Sequence, residues 1–118
     1  MSIAALVGIS GIDTTQGLTN CMDDEDLYTS VVEMFVDQLF DNVTQLNLAY
    51  EAQDWDNIGK IAHSIKGAAA SVGAFEIQQN SATIEHASKQ NDIDVITDNF
   101  ASFITLISTT SAALKQNL

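Results

Sequence analysis

Proline and arginine are absent from the sequence, and cysteine occurs once, as Cys21. Because proline interrupts the hydrogen bonds of a helix interior, its absence favours long, unbroken helices. A single cysteine excludes an internal disulfide and fits a reducing compartment such as the cytoplasm. A chain of 118 residues can bury enough apolar surface to fold as one domain without a disulfide or a metal.

Positive charge is also scarce. Four lysines and sixteen acidic residues give a formal net charge of −12. Binding to nucleic acids and to anionic membranes depends on basic residues, so the composition argues against both partners. The apolar residues 1–11 lack a basic stretch and are too short for a signal peptide or a membrane span. We therefore expect a soluble, cytoplasmic protein. We also expect it to be a monomer.

Apolar side chains recur at steps of three and four residues, which is the pattern of amphipathic helices. The pattern predicts a short helix over 13–20, capped by Asp13, and a long helix that runs from Asp23 or Asp24 to about residue 52. Acidic residues at the start of the long helix complement the positive end of its dipole.

The central helix is predicted between Asp54, a good N-cap, and Gly73, a good C-terminal stop. A further helix follows to about Lys89, and a turn capped by Asp92 precedes the last helix. Residues 103–110 are rich in β-branched side chains and by propensity could form a strand. Their helical spacing and the lack of a partner strand favour a helix.

The connections between the four long helices are short, so consecutive helices are expected to run antiparallel. The fold class predicted is all-α: an antiparallel up-down-up-down four-helix bundle with a short N-terminal helix. We expect residues 1–118 to form one domain, with 1–11 loosely ordered at the end of the bundle and Trp55 plugging one end.

His63 is expected on the face of the central helix that points away from the core. The apolar stripe comprises Ile58, Ile61, Ala62, Ile65, Ala69 and Val72. The predicted outward face around His63 comprises Asp56, Gly59, Lys60, Lys66, Gly67 and Ala70. Each interior glycine costs a helix about 1 kcal/mol relative to alanine, which suggests that bare backbone is needed for a large partner to approach. Such a face suits a histidine that receives an anionic group from a docked protein.

The same residues resemble a known signature. His63-x-x-Lys66-Gly67, followed by Gly73-Ala74, is similar to the motif of histidine-containing phosphotransfer (HPt) domains. Further residues that match the family pattern are Gly11-Ile12-Asp13, Gly17-Leu18, Asp24 to Tyr28, Phe35, Ala49, Asp54-Trp55, Ala62, Ile84-Glu85 and Ala87. The resemblance covers roughly residues 11–115, which makes it much more specific than the five-residue motif alone.

The resemblance implies that His63 accepts and donates a phosphoryl group, since a neutral imidazole has a lone pair that can attack phosphorus in line. It implies that Lys66 supports the phosphoryl group and that Gly67 keeps the approach to the imidazole open. The implied partners are response-regulator receiver domains, or a hybrid histidine kinase. The implied chain is a carrier rather than an enzyme and needs no cofactor, because the receiver supplies Mg²⁺.

Other residues carry weaker predictions. Lys60 is a candidate electrostatic helper, Gln38 a candidate lining residue of the phosphate pocket, and Gly59 and Ala70 candidate parts of the docking face. Glu85 and its acidic neighbours are interpreted as ordinary helix charges, and His86 as an exposed residue without a role. No residue spacing typical of a metal site occurs.

Two alternatives remain open at this stage. The chain could be the substrate module of a chemotaxis-type histidine kinase, since 62–67 resembles that version too, although such modules usually continue with a Phe-Gly-Phe-like turn where this chain reads Val72-Gly73-Ala74-Phe75. It could also be an adaptor bundle that binds receivers without being phosphorylated, an interpretation that the intact His63, Lys66 and Gly67 argue against.

Overall fold

The computed structural model describes residues 3–118, and most of them are helical. The elements are a 3₁₀ turn at Ile3–Ala5, α1 at Thr14–Asn20, α2 at Glu25–Glu51, α3 at Trp55–Val72, α4 at Phe75–Lys89 and α5 at Ile93–Gln116. No strand occurs within residues 3–118, so the all-α prediction is confirmed and 103–110 is helical. The prediction for 1–11 falls partly on Met1 and Ser2, which lie outside the described residues.

Aspartate caps fix the starts of four helices. The side chains of Asp13, Asp24, Asp54 and Asp92 each accept a hydrogen bond from a backbone N–H in the first turn. Each cap satisfies a donor that the helix itself leaves unpaired. The predicted starts of α1, α2, α3 and α5 are therefore confirmed.

The long helices contact one another in a ring. α3 contacts α2 and α4, α5 contacts α4 and α2, and α1 lies against α3 and α2. The buried apolar side chains of all four long helices form one core, whose largest fully buried members on these helices are Tyr28, Leu39, Leu46, Ile58, Ile65, Ile77, Ile84, Ile96, Phe103, Ile107 and Leu114. The chain therefore encloses its apolar residues between α2, α3, α4 and α5.

Aromatic residues close one end of the core. Trp55 is half-buried and meets the Tyr50 ring edge-on at 5.7 Å between centroids, while Tyr50 stacks on Phe100 at 4.1 Å. The contacts of Tyr50 with Trp55 and Phe100 join α2, α3 and α5 near the turn that connects α2 to α3.

In the N-terminal segment, Leu6 is buried, whereas Val7 is exposed.

Helices α1 and α2 are both hydrogen-bonded to the end of α3, α1 through its N-cap residue Asp13 and α2 through Tyr28. The Asp13 N–H donates to the Gly73 carbonyl at 2.7 Å, and the Tyr28 hydroxyl donates to the Val72 carbonyl at 2.8 Å. Burial, with smaller contributions from Cys21 and Asp13, raises the pKa of Tyr28 to about 12. Because the neutral phenol is favoured, the hydroxyl keeps its proton and remains a donor.

Gly73 is required at the turn between α3 and α4 for two reasons. Its φ of +80° is left-handed, and a Cβ there would overlap the Asp13 carbonyl oxygen. Gly8 has a similar φ of +91°, but a Cβ at Gly8 would meet no atom within 4 Å. Both glycines therefore need the left-handed backbone conformation, but only at Gly73 would an added Cβ overlap another residue.

We expect Gly73→Ala to lower the free energy of unfolding by about 2–4 kcal/mol, and Gly8→Ala by about 1 kcal/mol, since left-handed strain alone is worth about 1–2 kcal/mol. Urea unfolding of both variants measures the difference. Equal losses of unfolding free energy in the two variants would show that Asp13 moves aside without cost. That result would contradict the overlap expected between a Cβ at Gly73 and the Asp13 carbonyl oxygen.

Candidate functional site

α3 presents His63 to solvent because its apolar stripe points into the core. The side chain of His63 is 68% exposed. The six apolar residues predicted for the stripe are all buried. The predicted orientation of the helix is therefore confirmed, and the imidazole lies on its open side.

Glu85 of α4 faces the imidazole from a buried position. Its side chain is only 6% exposed, and its Oε2 lies 2.6 Å from His63 Nδ1. Lys66 Nζ lies 2.5 Å from Oε1, and Lys89 Nζ lies 3.3 Å from Oε2. The buried carboxylate of Glu85 therefore binds three side chains, His63 and Lys66 of α3 and Lys89 of α4.

Glu85 is charged in the folded protein. The pKa of its carboxyl falls from 4.5 to about 2, chiefly because Lys66 bonds to the carboxylate; burial opposes the shift, and His63 and Lys89 add to it. A carboxylate can only accept hydrogen bonds, so His63 Nδ1 must carry the proton of this contact. In a neutral ring the lone pair then lies on Nε2, which makes Nε2 the nucleophilic atom.

Gly59 corrects one of the sequence predictions. It is buried rather than exposed, and a Cβ at this position would overlap Ser88 of α4. The Ser88 hydroxyl donates to the Trp55 carbonyl at 2.9 Å. The absence of a side chain at Gly59 therefore allows α4 to approach α3 closely, which is a packing role. Its predicted place on the outward docking face is wrong.

A depression of about 500 Å³ lies between α3 and α4 beside His63. Its lining residues are Asp56, Gly59, Lys60, His63, Glu85, Ser88 and Lys89. With Lys66, three of the four lysines of the chain stand around this histidine. In a chain of net charge −12, this is a local concentration of positive charge.

Of the remaining candidates, Gln38 lies on α2, and Gly67 and Ala70 follow His63 on α3. The Gln38 amide donates to the hydroxyl of Ser64 at 3.3 Å, so Gln38 contacts the neighbour of His63. A Cβ at Gly67 would meet no atom within 4 Å, and Ala70 is partly buried beside a groove between α1, α2 and α3. Gly67 therefore borders open space.

Two residues of the site were missed in the sequence. The prediction that Glu85 is an ordinary helix charge is wrong, and the sequence analysis makes no prediction for Lys89 as a site residue. The available signal was the spacing Ile77–Ser81–Glu85, which places the acid in the row of α4 that faces the core. His86, by contrast, is exposed as expected.

Among residues 3–118, no group of three or more His, Cys, Asp or Glu side chains is placed to hold a metal ion. Within the same residues, no helix combines the length and the hydropathy that crossing a membrane requires.

The charge of Glu85 predicts a pH-dependent stability. Because its folded pKa is lowered to about 2, its contribution is fully present above the unfolded pKa and is lost as pH falls toward the folded value. The difference in unfolding free energy between wild type and Glu85→Gln should shrink by about 2 kcal/mol between about pH 5 and about pH 2.5. Urea unfolding at several pH values measures it.

Glu33→Gln is the matched control, since Glu33 is exposed on α2. Its difference from wild type should change little over the same range, because exposed charges interact weakly with their surroundings. A Glu85→Gln difference that stayed level with pH would contradict the assignment of a charged, buried carboxylate.

Comparisons with known proteins bear on the same residues. Neither the curated proteins nor the solved structures that were searched contain a match to this chain. The family model described as the Hpt domain matches residues 30–116, which is more than half of the chain and includes His63, Lys66, Glu85 and Lys89. The chain therefore belongs to the Hpt domain family, whose members carry out histidine phosphotransfer in two-component signalling.

Proposed function

We propose that the chain is a phosphorelay intermediate: His63 accepts a phosphoryl group from the aspartate of one receiver domain and passes it to the aspartate of another. The observation that carries this proposal is the bond between His63 Nδ1 and the charged, buried Glu85, with most of the ring open to solvent. This arrangement leaves the second ring nitrogen directed away from its anchor and accessible to a docked protein.

The transfer needs no general base, because the attacking nitrogen carries a lone pair and no proton. His63 Nε2 attacks the phosphorus of the aspartyl phosphate, the N–P bond forms, and the bond between phosphorus and the carboxylate oxygen breaks. The proton stays on Nδ1, and the positive charge that develops on the ring faces the Glu85 carboxylate at 2.6 Å. In the onward step an aspartate oxygen of the second receiver attacks the phosphorus, the new P–O bond forms, the N–P bond breaks and the neutral imidazole leaves.

The lysines around the ring support this chemistry in different ways. Lys66, bonded to Glu85 Oε1, keeps the carboxylate charged and in place and so acts on the imidazole through Glu85. Lys60 lines the depression, where its ammonium attracts an incoming acyl phosphate. We propose no phosphoryl-transfer activity for the chain without a partner and no cofactor of its own, with Mg²⁺ supplied by the receiver.

The proposed docking surface is the open face of α3 with the adjoining face of α2. Met34 is 70% exposed and Leu27 is 38% exposed. A groove of about 450 Å³ between α1, α2 and α3 includes Leu27 in its walls; it is lined by Asn20, Cys21, Leu27, Val31, Ala70 and Ser71. Gly67 and Ala70 follow His63 by one and two turns, so a receiver seated on this apolar surface can reach the imidazole.

The proposal also covers the arrangement of the helices, the oligomeric state and the location of the protein. The ring of contacts among the four long helices supports an antiparallel up-down-up-down bundle that forms a single domain over residues 1–118. We further propose a monomer that acts in the cytoplasm, where receiver domains and hybrid histidine kinases are its partners.

Intact-mass analysis after incubation with a phosphorylated receiver tests the proposed site. We expect wild type to gain one acid-labile phosphoryl group, and His63→Gln to gain none because it lacks the nucleophilic nitrogen. His86→Gln is the matched control, because His86 is the other histidine of the chain and is exposed. It should be labelled like wild type.

The same measurement separates the alternatives. Labelling only in the presence of ATP and a separate kinase catalytic domain would replace the relay with a chemotaxis-type substrate module. Binding to a receiver without labelling by either route would leave an adaptor and would contradict the proposal.

A second experiment tests the docking surface. We expect Met34→Asp to weaken receiver binding about tenfold, because a carboxylate buried against an apolar partner costs more than 1 kcal/mol. Leu48→Asp is the control, since Leu48 is 62% exposed farther along the same helix. Titration by calorimetry compares the two, and equal losses would argue against a surface centred on Met34.

A further inference from the structure

α5 presents an uncharged face to solvent, although the chain as a whole has a formal net charge of −12. The charged residues of α5 are Asp94, Asp98 and Lys115, so residues 99–114 carry no charge. Two copies of such an acidic chain repel each other least where neither presents a charge. The exposed side chains of the uncharged stretch are Ala101, Ser102, Thr105, Ser108, Thr109 and Ala112.

One row of exposed residues on this face has the spacing along which two helices pair. Steps of three and four residues keep side chains on one side of a helix over several turns. The uncharged members of the row are small, so the backbone of a second helix can approach closely. The row comprises Asp98, Ala101, Thr105, Ser108, Ala112 and Lys115.

The row is complementary to itself when it is reversed. A second copy of α5 can lie antiparallel to the first, related to it by a twofold axis that passes between Thr105 and Ser108. Each residue of the row then faces a residue equally far from the axis, as in an isologous interface. The facing residues are Asp98 and Lys115, Ala101 and Ala112, and Thr105 and Ser108.

The charged ends of the row have no ion pair within one copy. The ion pairs among residues 3–118 all involve Glu85. Asp98 and Lys115 are about 25 Å apart along α5, which is too far for them to pair with each other. Lys115 Nζ instead lies 5.1 Å from the centroid of the Phe40 ring. The antiparallel arrangement brings an opposite charge to both residues.

A groove between α2 and α5 extends the face. Its volume is about 320 Å³, and Ser108 and Ala112 belong both to its walls and to the row. Phe40 of α2 also lines the groove and is 50% exposed. A second copy seated on the row would shield part of this apolar groove from water, which favours association.

We propose that two copies of the chain form an antiparallel twofold dimer through α5, held in register by Asp98 and Lys115 of each copy. The inference goes beyond the phosphorelay and does not depend on phosphorylation of His63. α5 packs against α2 and α4, across the bundle from α3, so both copies keep His63 accessible. Because the side chains of the row are small, the interface is small and weak, and the monomer proposed above is the main form at low concentration.

Sedimentation equilibrium of the full chain between about 10 μM and about 1 mM tests the dimer. Salt at about 0.15 M screens the repulsion between distant charges. We expect the weight-average mass to rise with concentration from 12.7 kDa toward twice that value. Asp98→Lys should weaken association about tenfold, because the symmetry turns two attractive pairs into two repulsive ones. Lys115→Asp should weaken it by a similar factor.

Two further samples restore opposite charges across the axis. The double variant Asp98→Lys, Lys115→Asp should associate like wild type. An equimolar mixture of the two single variants should also associate like wild type, because each variant then faces its complement. The matched control is Asp41→Lys on the exposed side of α2. It changes the net charge as Asp98→Lys does and should not weaken association.

A mass that stays at 12.7 kDa over the whole range overturns the inference. Association that Asp98→Lys leaves unchanged would place the contact on another surface and also overturns it. If neither the mixture nor the double variant recovers association, the antiparallel register is wrong. Circular dichroism of each variant verifies that the helices are intact, and the mixture gives a result even if the double variant does not fold.

Discussion

The carboxylate of Glu85 bears a full charge at a position almost closed to solvent, and the rest of the site is arranged around it. A buried charge is costly unless partners compensate it, and this one has Lys66, His63 and Lys89. Its low pKa follows from those partners. The same contacts fix the tautomer of the imidazole, so one interaction stabilises the interface between α3 and α4 and leaves the lone pair of the neutral ring on Nε2.

That interaction depends on how closely the two helices approach. Gly59 leaves room for Ser88, which brings the C-terminal half of α4 against α3. The turn at Gly73 sets where α4 begins relative to α3, and the Asp13 backbone holds that turn. Packing at two glycines, one a turn before His63 and one at the end of α3, therefore determines whether Glu85 reaches the ring.

Much of this protein could be predicted from the sequence because the signals are local. The caps at Asp24 and Asp54 accept from N–H groups two or three residues ahead, so the helix starts can be found without tertiary information. The apolar period of α3 likewise determines that His63 points outward. The motif around His63 identified the family, which the match over residues 30–116 then established.

What the sequence determined by itself was the set of helices, the exposed face of α3 and the family; what only the tertiary structure decided was which residues meet across helices. Periodicity gives the direction of a side chain from its own helix axis, but it does not say which neighbour covers it. For this reason Gly59 was assigned to the surface although α4 covers it. For the same reason the sequence does not distinguish Glu85 from a solvated helix charge, because two of its three partners, Lys66 and His63, lie 19 and 22 residues earlier in the chain.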